Sequence, residues 1–281
     1  MSTAAGVGDW KPAWGAHTYL MGVVNVTPDS FSGDGIYRDP ERARLEATEV
    51  TAQGADIVDI GGESTRPGYS PISQNEELSR LLPALRMIAA VPGILLSVDT
   101  SKCEVARAAV QTGVHMVNDV SGLSDPNMAA VAAEMGMWLV LVHNRPIEPG
   151  VEIITQIRRG LEALVEIALM AGVPAEHLIV DPGLGFGKGW RHNFEILRKL
   201  SALRTVGLPI LVGPSRKGMI GRVLGVGPSD RLEGTVALCT IAIAHGADVV
   251  RVHDVRAMAR VARMTDALVR STHAEHRRAG E

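Results

Sequence analysis

The sequence has few aromatic residues, few cysteines and no strong excess of charge. Phe, Tyr and Trp together make only 4% of its 281 residues, so the core must be built from Val, Ile, Leu, Ala and Met. The two cysteines, Cys103 and Cys239, form neither a CxxC motif nor a disulfide framework. Reduced thiols are typical of the cytoplasm, and the sequence therefore favours a cytoplasmic location.

Charge and hydropathy exclude further classes of protein. Lys and Arg number 28 against 31 for Asp and Glu, a net charge of −3, which disfavours sequence-independent binding of nucleic acid. No apolar run approaches the roughly 18 residues of a membrane span. The first twenty residues lack the basic start and apolar block of a secretory signal. We therefore expect neither a nucleic acid nor a membrane as a partner.

What the chain does contain is a regular alternation of short apolar runs and longer stretches of helical period. The apolar runs are rich in β-branched residues and nearly continuous, as strands covered on both faces are. Strands are predicted over 20–24, 57–60, 94–98, 116–118, 138–142, 178–180, 210–212 and 249–252. Helices are predicted near 40–53, 74–90, 102–112, 125–135, 152–171, 191–204, 231–245 and 254–270.

A weak internal repeat supports this alternation. Residues 54–60 (GADIVDI) resemble 246–252 (GADVVRV), and 113–119 are a looser copy. Each copy is typical of a helix that ends at a glycine and is followed by a strand. Eight strand–helix units in this length predict an α/β fold, a single-domain parallel (β/α)₈ or TIM barrel, with a doubly wound sheet as the alternative.

The remaining segments are assigned around this barrel, which we place over 18–271. Residues 1–17 are interpreted as an N-terminal extension and 272–281 as a polar C-terminal tail, both peripheral or frayed. Two long loops rich in Gly, Ser and Pro, at 26–35 and 61–70, follow the first two strands. Their composition is typical of mobile lids that exclude water during a reaction.

Polar residues stand at the end of every predicted strand. In a parallel barrel the carboxyl ends of the strands form one rim, where enzymes of this fold carry their active sites. Any one of these residues could instead be a helix cap, a turn former or half of a structural ion pair. All eight ends converging on one rim favour a functional site. The residues are Asn25, Thr65, Arg66, Asp99, Asn118, His143, Asp181, Ser215, Lys217, Arg251 and His253.

One set of these residues suits a flat heterocycle. Asp99, Asn118, Asp181 and Lys217 offer carboxylates, an amide and an ammonium. Such groups match a ring edge on which hydrogen-bond donors and acceptors alternate, as in a pyrimidine edge that resembles guanidine.

The other set suits an anionic leaving group. Arg251 and His253 stand two residues apart on one strand and should point the same way, as a cationic fork for a phosphate or carboxylate. Asn25, Thr65 and Arg66 add to this set, and Mg²⁺ could join it because it prefers oxygen ligands.

Other motifs do not fit the chemistry they suggest. The glycine-rich segment 183–189 lacks the spacing and the closing Ser or Thr of a P-loop, and it is not a dinucleotide fingerprint. His115, His177 and His192 have no metal-ligand spacing and are interpreted as surface or capping residues.

Seven segments taken together resemble the motifs of the bacterial dihydropteroate synthases, a family of pterin-binding enzymes. They follow the family's order from about residue 20 to 255 and cover nearly the whole chain. The segments are MGVVNVTPDSFS at 21–32, GGESTRPG at 61–68, SVDT at 97–100, NDVS at 118–121, DPG at 181–183, SRK at 215–217 and RVHD at 251–254.

The resemblance implies a TIM barrel, usually a homodimer, that uses Mg²⁺. Its substrates would be 6-hydroxymethyl-7,8-dihydropterin diphosphate and 4-aminobenzoate, and its products 7,8-dihydropteroate and diphosphate, on the route to folate. It implies a dissociative mechanism, in which diphosphate leaves first and the aromatic amine attacks a pterin-methylene cation. Sulfonamides, which mimic aminobenzoate, would bind in the same region.

The resemblance also implies a role for each matching residue. The pterin would be held by Asp99, Asn118, Asp181 and Lys217, of which Asp99, Asp181 and Lys217 would be catalytic. The diphosphate would be held by Asn25, Arg66, Arg251 and His253, with Asn25 binding the Mg²⁺. The aminobenzoate pocket would be formed by Phe31, Thr65, Pro67, Phe186, Ser215 and Lys217.

Departures from the family pattern keep alternatives open. The first loop has Gly33-Asp34 where the family usually has Asp-Gly, and Gly218 replaces a frequent Ser. One alternative is a non-catalytic pterin-binding protein, and another is a methyltransferase barrel that binds methyltetrahydrofolate, which would not need a diphosphate site. A phosphate-sugar aldolase or isomerase that uses Lys217 as a Schiff base is a weaker alternative.

Overall fold

The computed structural model describes residues 10–27, 39–63 and 69–270. They form eight strands and nine α-helices. The strands are β1 (Tyr19–Asn25), β2 (Ile57–Gly61), β3 (Leu95–Asp99), β4 (Met116–Asp119), β5 (Trp138–Val142), β6 (Leu178–Asp181), β7 (Leu211–Val212) and β8 (Val249–Val252). The helices are α1 (Pro40–Ala52), α2 (Gln74–Ala89), α3 (Cys103–Val110), α4 (Met128–Glu134), α5 (Ile153–Met170), α6 (Trp190–Arg198), α7 (Gly218–Leu224), α8 (Leu232–Ala244) and α9 (Val255–Val269).

The strands form one parallel sheet that closes on itself, which confirms the predicted TIM barrel. Their order is β6-β5-β4-β3-β2-β1-β8-β7, and a parallel bridge between Val180 and Ile210 joins the two end strands. The structure explains the repeat that was identified in the sequence, because each copy begins with a glycine between a helix and a strand. Gly54, Gly113 and Gly246 all have φ near +100° (109°, 103° and 98°), which lets the chain leave a helix and enter the next strand.

Alternation along the strands divides the apolar residues between two cores. Side chains of one face, such as Val24, Val58 and Ile60, pack against the surrounding helices. Side chains of the other face fill the barrel, with Met21, Ile57, Met116, Val140, Ile179, Leu211 and Val249 in contact. Because successive strand residues face opposite sides, both faces must be apolar, and the strands therefore read as continuous apolar runs.

Aromatic side chains close the amino-terminal end of the barrel. Trp10 packs on Trp138 with ring centroids 4.5 Å apart, and Trp14 lies 5.2 Å from Tyr19. The prediction that residues 1–17 are peripheral or frayed is therefore wrong for 10–17, because this segment covers the end of the inner core. His177, interpreted as a surface or capping residue, also belongs here, since its ring stacks on Trp138 at 5.0 Å.

The helix predicted near 191–204 is also wrong in detail. Helix α6 ends at Arg198, and residues Leu200–Val206 form a 3₁₀ helix. The buried Leu200 and Leu203 are three residues apart, which is the period of a 3₁₀ helix. The helical periodicity did not indicate the short helix α7, because it contains Gly218 and Gly221. None of the helices that the structure describes is long and apolar enough to cross a membrane.

Candidate active site

The carboxyl ends of the strands carry a row of inward-facing polar side chains. Register pairs Gly61 of β2 with Asp99 of β3, and Asp99 with Asn118 of β4. Asp99, Asn118 and Asp181 are all nearly inaccessible to solvent, at 6%, 2% and 6% exposure. Buried polar groups of this kind need partners, so their contacts define the site.

A hydrogen-bonded network joins the predicted residues Asp99, Asn118 and Arg251 with Asp59, which was not predicted. Arg251 Nη2 donates to Asp99 Oδ2 at 2.8 Å, and Arg251 Nε donates to Asp59 Oδ2 at 2.6 Å. The same Asp59 oxygen accepts from Asn118 Nδ2 at 3.1 Å. Strands β2, β3, β4 and β8 are thus connected by side chains across the mouth of the barrel.

The charges of this network shift one another's titration. Burial raises the pKa of Asp99 to about 7, Arg251 opposes the shift, and the carboxylates of Asp59, Glu77 and Asp119 add to it. Burial by itself would lower the pKa of the Arg251 guanidinium, but Asp59 and Asp99 raise it overall. The guanidinium therefore stays charged, whereas Asp99 titrates near neutrality.

Asp181 and Lys217 lie on the opposite side of the mouth. Asp181 Oδ1 accepts a hydrogen bond from Gly183 N at 2.7 Å. Burial raises the pKa of Asp181, against the attraction of Gly183 N–H, Lys217, Lys188 and Arg251. Burial lowers the pKa of Lys217 to about 8, which Asp181 partly offsets.

Lys217 also meets residues of the loop that follows β6. Its ammonium donates to Leu184 O and lies 4.7 Å from the centre of the Phe186 ring. The structure thus brings together Lys217 and Phe186, which were assigned to one pocket, and the contact has cation–π geometry.

The glycine-rich segment 183–189 is built around Lys188. The buried ammonium of Lys188 donates to His143 O at 2.6 Å, Phe186 O at 2.9 Å and Gly183 O at 3.0 Å. Gly183 has a φ of +71°, and a Cβ there would come within 2.2 Å of His143 O. The glycines thus let the chain wrap closely around a cation, in place of the phosphate of a P-loop.

His143 at the end of β5 faces away from this chemistry. Its ring packs against Gly160 of α5, where a Cβ would lie 2.5 Å from His143 Cδ2. Burial lowers the pKa of His143 to about 4, and the nearby Lys188 adds to the effect. The imidazole is therefore neutral at physiological pH.

Ser215 and His253 meet at the rim, beside the end of β8. Ser215 Oγ lies 3.0 Å from His253 Nδ1 and accepts from His253 N at 3.2 Å. The Arg251 guanidinium bonds to the carboxylates of Asp59 and Asp99, because a buried guanidinium requires such partners. Arg251 and His253 thus have different protein partners, although they stand two residues apart in the chain.

Arg216 holds the segment between Ser215 and Lys217. It has a φ of +56°, unusual for a residue with a side chain. Its guanidinium makes a bidentate pair with Asp254, at 3.0 Å from Nε and 2.5 Å from Nη2. This pair fastens the loop after β7 to the end of β8, next to His253.

Asn25 at the end of β1 is the predicted Mg²⁺ ligand. A Cβ on Gly61 would lie 3.7 Å from Asn25 Oδ1 and 3.6 Å from Asp99 Cβ, ordinary van der Waals distances, so Asn25 Oδ1 faces the same part of the mouth as Asp99. Within the described ranges, no group of three or more His, Cys, Asp or Glu side chains could hold a metal. One amide oxygen fits an Mg²⁺ ion whose other ligands come from phosphate and water, as this ion prefers.

Several predicted residues fall outside the described ranges. They are Phe31, Thr65, Arg66 and Pro67, together with Gly33 and Asp34 of the first loop.

Two residues of the site were missed in the sequence. Asp59 stands inside an apolar strand, two residues before Gly61, and this period of two was the signal that it shares the inner face with the rim residues. Lys188 was given no role, because the segment 183–189 does not match a P-loop. A lysine within a glycine-rich segment next to Asp181 could nevertheless have indicated a buried cation.

This arrangement suits a planar polar ring bound between charged groups. Asp181 and Asn118 present acceptors and an amide to its edge, and Lys217, Phe186 and Arg251 line its surroundings. Anionic and cationic side chains face the same mouth, so they suit a reaction in which opposite charges develop on two separating parts of a substrate.

Comparison with known proteins agrees with this geometry. A family model described as "Pterin binding enzyme" matches residues 21–253. The dihydropteroate synthase of Bacillus subtilis (strain 168) is 44% identical over 260 residues, covering 92% of this chain and 91% of that protein. The dihydropteroate synthase of Escherichia coli (strain K12) is 40% identical over 259 residues, covering 90% and 92% respectively.

Solved structures give the same result. The Clostridium difficile dihydropteroate synthase, in the presence of pteroic acid, superposes with a TM-score of 0.89 at 44% identity, covering 93% of this chain and 100% of that chain. The Thermus thermophilus enzyme in complex with 4-aminobenzoate has a TM-score of 0.80 at 40% identity, covering 90% and 95%. By sequence and by structure, the chain belongs to the dihydropteroate synthase family of pterin-binding enzymes.

Proposed function

We propose that the protein condenses 6-hydroxymethyl-7,8-dihydropterin diphosphate with 4-aminobenzoate, giving 7,8-dihydropteroate and diphosphate in folate biosynthesis. The proposal rests mainly on the convergence of Asp99, Asn118, Asp181 and Lys217 on one barrel mouth. The relatives named above support it, since they are dihydropteroate synthases, one solved in the presence of pteroic acid and another in complex with 4-aminobenzoate.

The pterin is assigned to the inner part of the mouth. Asp181 accepts one hydrogen bond from Gly183 N, and its remaining lone pairs can accept two parallel bonds from the 2-amino and ring N–H groups of a pterin. These added donors favour the ionised carboxylate, which burial alone disfavours. Lys217, with a pKa of about 8, is still mainly an ammonium at pH 7 and donates to ring acceptors.

The aminobenzoate is assigned to the outer part of the mouth. Phe186 offers an aromatic face there, and Ser215 offers a hydroxyl beside His253. Phe31, Thr65 and Pro67 complete the proposed pocket from the sequence. Sulfonamides would compete for this pocket because they mimic aminobenzoate.

The diphosphate is assigned to the rim, with Arg66 and Arg251 as cations, His253 as a hydrogen-bonding side chain and Asn25 as the protein ligand of Mg²⁺. When bound, Mg²⁺ neutralises charge on the departing diphosphate. His253 can donate from its ring while Ser215 fixes the orientation of that ring. Arg251 reaches the same region from below, held by its two carboxylates.

The reaction follows a dissociative course. The bond between the pterin methylene carbon and the diphosphate oxygen breaks, and the electron pair leaves with diphosphate. The ring-stabilised cation lies beside Asp99 and Asp181, whose negative charge favours it. The amine nitrogen of aminobenzoate then forms the new C–N bond and releases one proton. No covalent bond to the protein is needed.

A turnover assay tests the proposal. Purified protein, pterin diphosphate, aminobenzoate and Mg²⁺ are combined, and release of diphosphate is followed over time. We expect release that depends on all three additions, with 7,8-dihydropteroate formed in equal amount. Tight pterin binding without any turnover would instead identify a non-catalytic pterin-binding protein.

A homodimer and a cytoplasmic location complete the proposal. Helices α7, α8 and α9 expose large apolar side chains, with Val223 60%, Ile241 43%, Met264 63% and Leu268 71% accessible. Apolar patches of this kind are typical of subunit interfaces. The two cysteines are free and buried, which fits a reducing compartment.

Changing the exposed apolar face should separate the subunits. We expect Leu268→Glu to lower the sedimenting mass from that of a dimer to that of a monomer, because a carboxylate is costly to bury in an apolar interface. Leu45→Glu is the control, because Leu45 is similarly exposed at 54% but lies on α1. A Leu268→Glu variant that still sediments as a dimer would place the interface elsewhere.

A further inference from the structure

Asp59 is a buried carboxylate in the mouth of the barrel that the proposed chemistry does not use. Its side chain has no solvent exposure. In the sheet register it lies beside Val23 of β1 and Ser97 of β3, two residues deeper than Gly61 and Asp99. It therefore lies beneath the groups assigned to the pterin.

One oxygen of Asp59 holds two of the assigned residues at once. Oδ2 accepts from Arg251 Nε at 2.6 Å and from Asn118 Nδ2 at 3.1 Å. These partners come from β8 and β4, on either side of β2 and β3. Because the Arg251 guanidinium is planar, its bond to Asp59 through Nε also fixes the direction in which Nη2 meets Asp99.

The contact with Asn118 has a consequence for recognition. An amide side chain can present its oxygen or its nitrogen in either of two orientations. Donation from Nδ2 to Asp59 selects one orientation and leaves Oδ1 and the second N–H of Asn118 for a ligand. The contact with Asp59 thus fixes the positions at which Asn118 presents its acceptor oxygen and its free N–H donor to a ligand in the mouth.

The same arrangement is a poor way to stabilise a fold. In the part of the chain that the structure describes, Asp59 Oδ1 and the neighbouring Ser97 Oγ have no hydrogen-bond partner. Buried ion pairs are often no better for stability than apolar side chains of similar volume, and unsatisfied buried oxygens are costly. A carboxylate at this position is therefore better explained by what it positions.

We propose that Asp59 is a positioning residue for pterin recognition, which acts through Asn118 and Arg251 without touching the substrate. This inference rests on the proposed function, because it takes the pterin as the ligand of Asn118. Asp59 sets the orientation of the Asn118 amide and keeps the Arg251 guanidinium between two carboxylates.

Kinetics and binding of matched variants test the inference. Asp59→Ala should weaken the binding of pterin diphosphate about tenfold or more, in calorimetry and in its KM. The KM for aminobenzoate should change little. Asp59→Asn keeps an acceptor for Asn118 but loses the charge facing Arg251, so we expect a smaller loss. If Asp59→Ala does not fold, this nearly isosteric variant decides the question.

A double-variant cycle separates positioning from a general loss of structure. In an Asn118→Ala background, the effect of Asp59→Ala on pterin affinity should shrink at least threefold, because one of its two targets is gone. Effects of the two substitutions that simply multiply would overturn the inference. Asp248→Ala is the structural control, since this buried carboxylate accepts from Ile210 N at the other end of the barrel. It should lower the melting temperature and leave the KM for the pterin unchanged.

The outcomes also distinguish this inference from the proposed function. A parent protein that does not bind pterin diphosphate would overturn both. A parent that binds it, with folded Asp59→Ala and Asp59→Asn variants that bind it equally well, would overturn the positioning role alone.

Discussion

Individual buried charges determine how the mouth of the barrel responds to pH. Asp99, Lys217 and Lys188 are brought close to neutrality, with pKa values of about 7, 8 and 8. Burial is the main cause in each case, since it disfavours the charged form of acids and bases alike. Groups tuned in this way are typical of functional sites, where they cost stability.

Replacing Asp99 by Asn should change how stability depends on pH. The pKa of Asp99 is 3.8 in its ordinary state and about 7 in the folded protein, so between these values the folded state binds a proton that the unfolded state releases. The contribution of Asp99 to stability is therefore complete below the lower value and is lost as the pH rises through 7. The melting temperature of Asp99→Asn relative to the parent should rise by about 2–6 °C from pH 4 to pH 8.

Thermal scans of both proteins at several pH values check this prediction. Groups other than Asp99 titrate in both proteins and largely cancel in the difference. Asp230→Asn is the control for replacing an aspartate, because Asp230 is exposed. A difference for Asp99→Asn that does not change with pH would contradict the prediction.

Residues at strand ends were easier to predict from the sequence than Asp59, which lies inside β2. Asp99, Asn118 and Asp181 end apolar runs, so their position at the rim followed from the parallel topology. Asp59 was hidden because its partners stand 59 and 192 residues away in sequence. The carboxylate partners of Arg251 could not be predicted for a related reason, since only the folded barrel brings Asp59 and Asp99 to it.

At the scale of secondary-structure elements, the loop between β6 and α6 depends on one ammonium. Lys188 is 8% exposed and binds three backbone carbonyls, two of them in the loop that carries Phe186. Lys188→Met should lower the free energy of unfolding by about 2 kcal/mol, because buried carbonyls lose their donor. It should also weaken binding of 4-aminobenzoate, because Phe186 loses its support.

Chemical denaturation and calorimetry measure the two effects. Lys199→Met is the matched control, since Lys199 is 44% exposed and its pairs with Glu152 and Glu195 lie at the surface. Its effect on stability should stay below about 0.5 kcal/mol. Equal effects of the two substitutions would show that the three carbonyls do not depend on Lys188.

The strands were easier to predict than the connections between them. The predicted bounds of β5 and β8 agree with the structure, and most other strands differ by one or two residues. Continuous apolar runs are unambiguous when both faces of a sheet are covered. Connections such as α7 and the 3₁₀ helix at Leu200–Val206 depend instead on local packing that the periodicity of the sequence does not express.

At the scale of the whole molecule, stability and chemistry are assigned to opposite ends of the barrel. Trp10 and Trp14 pack on Tyr19 and Trp138 at the amino-terminal end, whereas the polar network lies at the carboxyl end. Trp10→Ala and Trp14→Ala should each lower the free energy of unfolding by about 2 kcal/mol, because apolar area is returned to water. Turnover per KM should not change.

Denaturation curves and steady-state kinetics test this separation. Trp190→Ala is the control for loss of a tryptophan, because Trp190 is 38% exposed on α6 and should matter less for stability. A drop in turnover per KM for the folded Trp14→Ala variant would contradict the separation of the two ends.

The barrel itself could be predicted from the count and type of its elements, but its closure by aromatic residues could not. Trp138 lies far along the chain from Trp10 and Trp14, and a low aromatic content gave no sign that they would meet. A packed cluster of this kind forms only once the strands have set the diameter of the barrel.

The cluster of three tryptophans also determines what tryptophan fluorescence can measure in this protein. Three of the four tryptophans, Trp10, Trp14 and Trp138, lie at the amino-terminal end of the barrel, far from any ligand in the mouth. The emission spectrum of these three tryptophans should change when the chain unfolds and should change little when a ligand binds in the mouth of the barrel. Trp190, which starts the helix after the loop of Phe186, is the natural optical probe for substrate arrival once the other three are replaced.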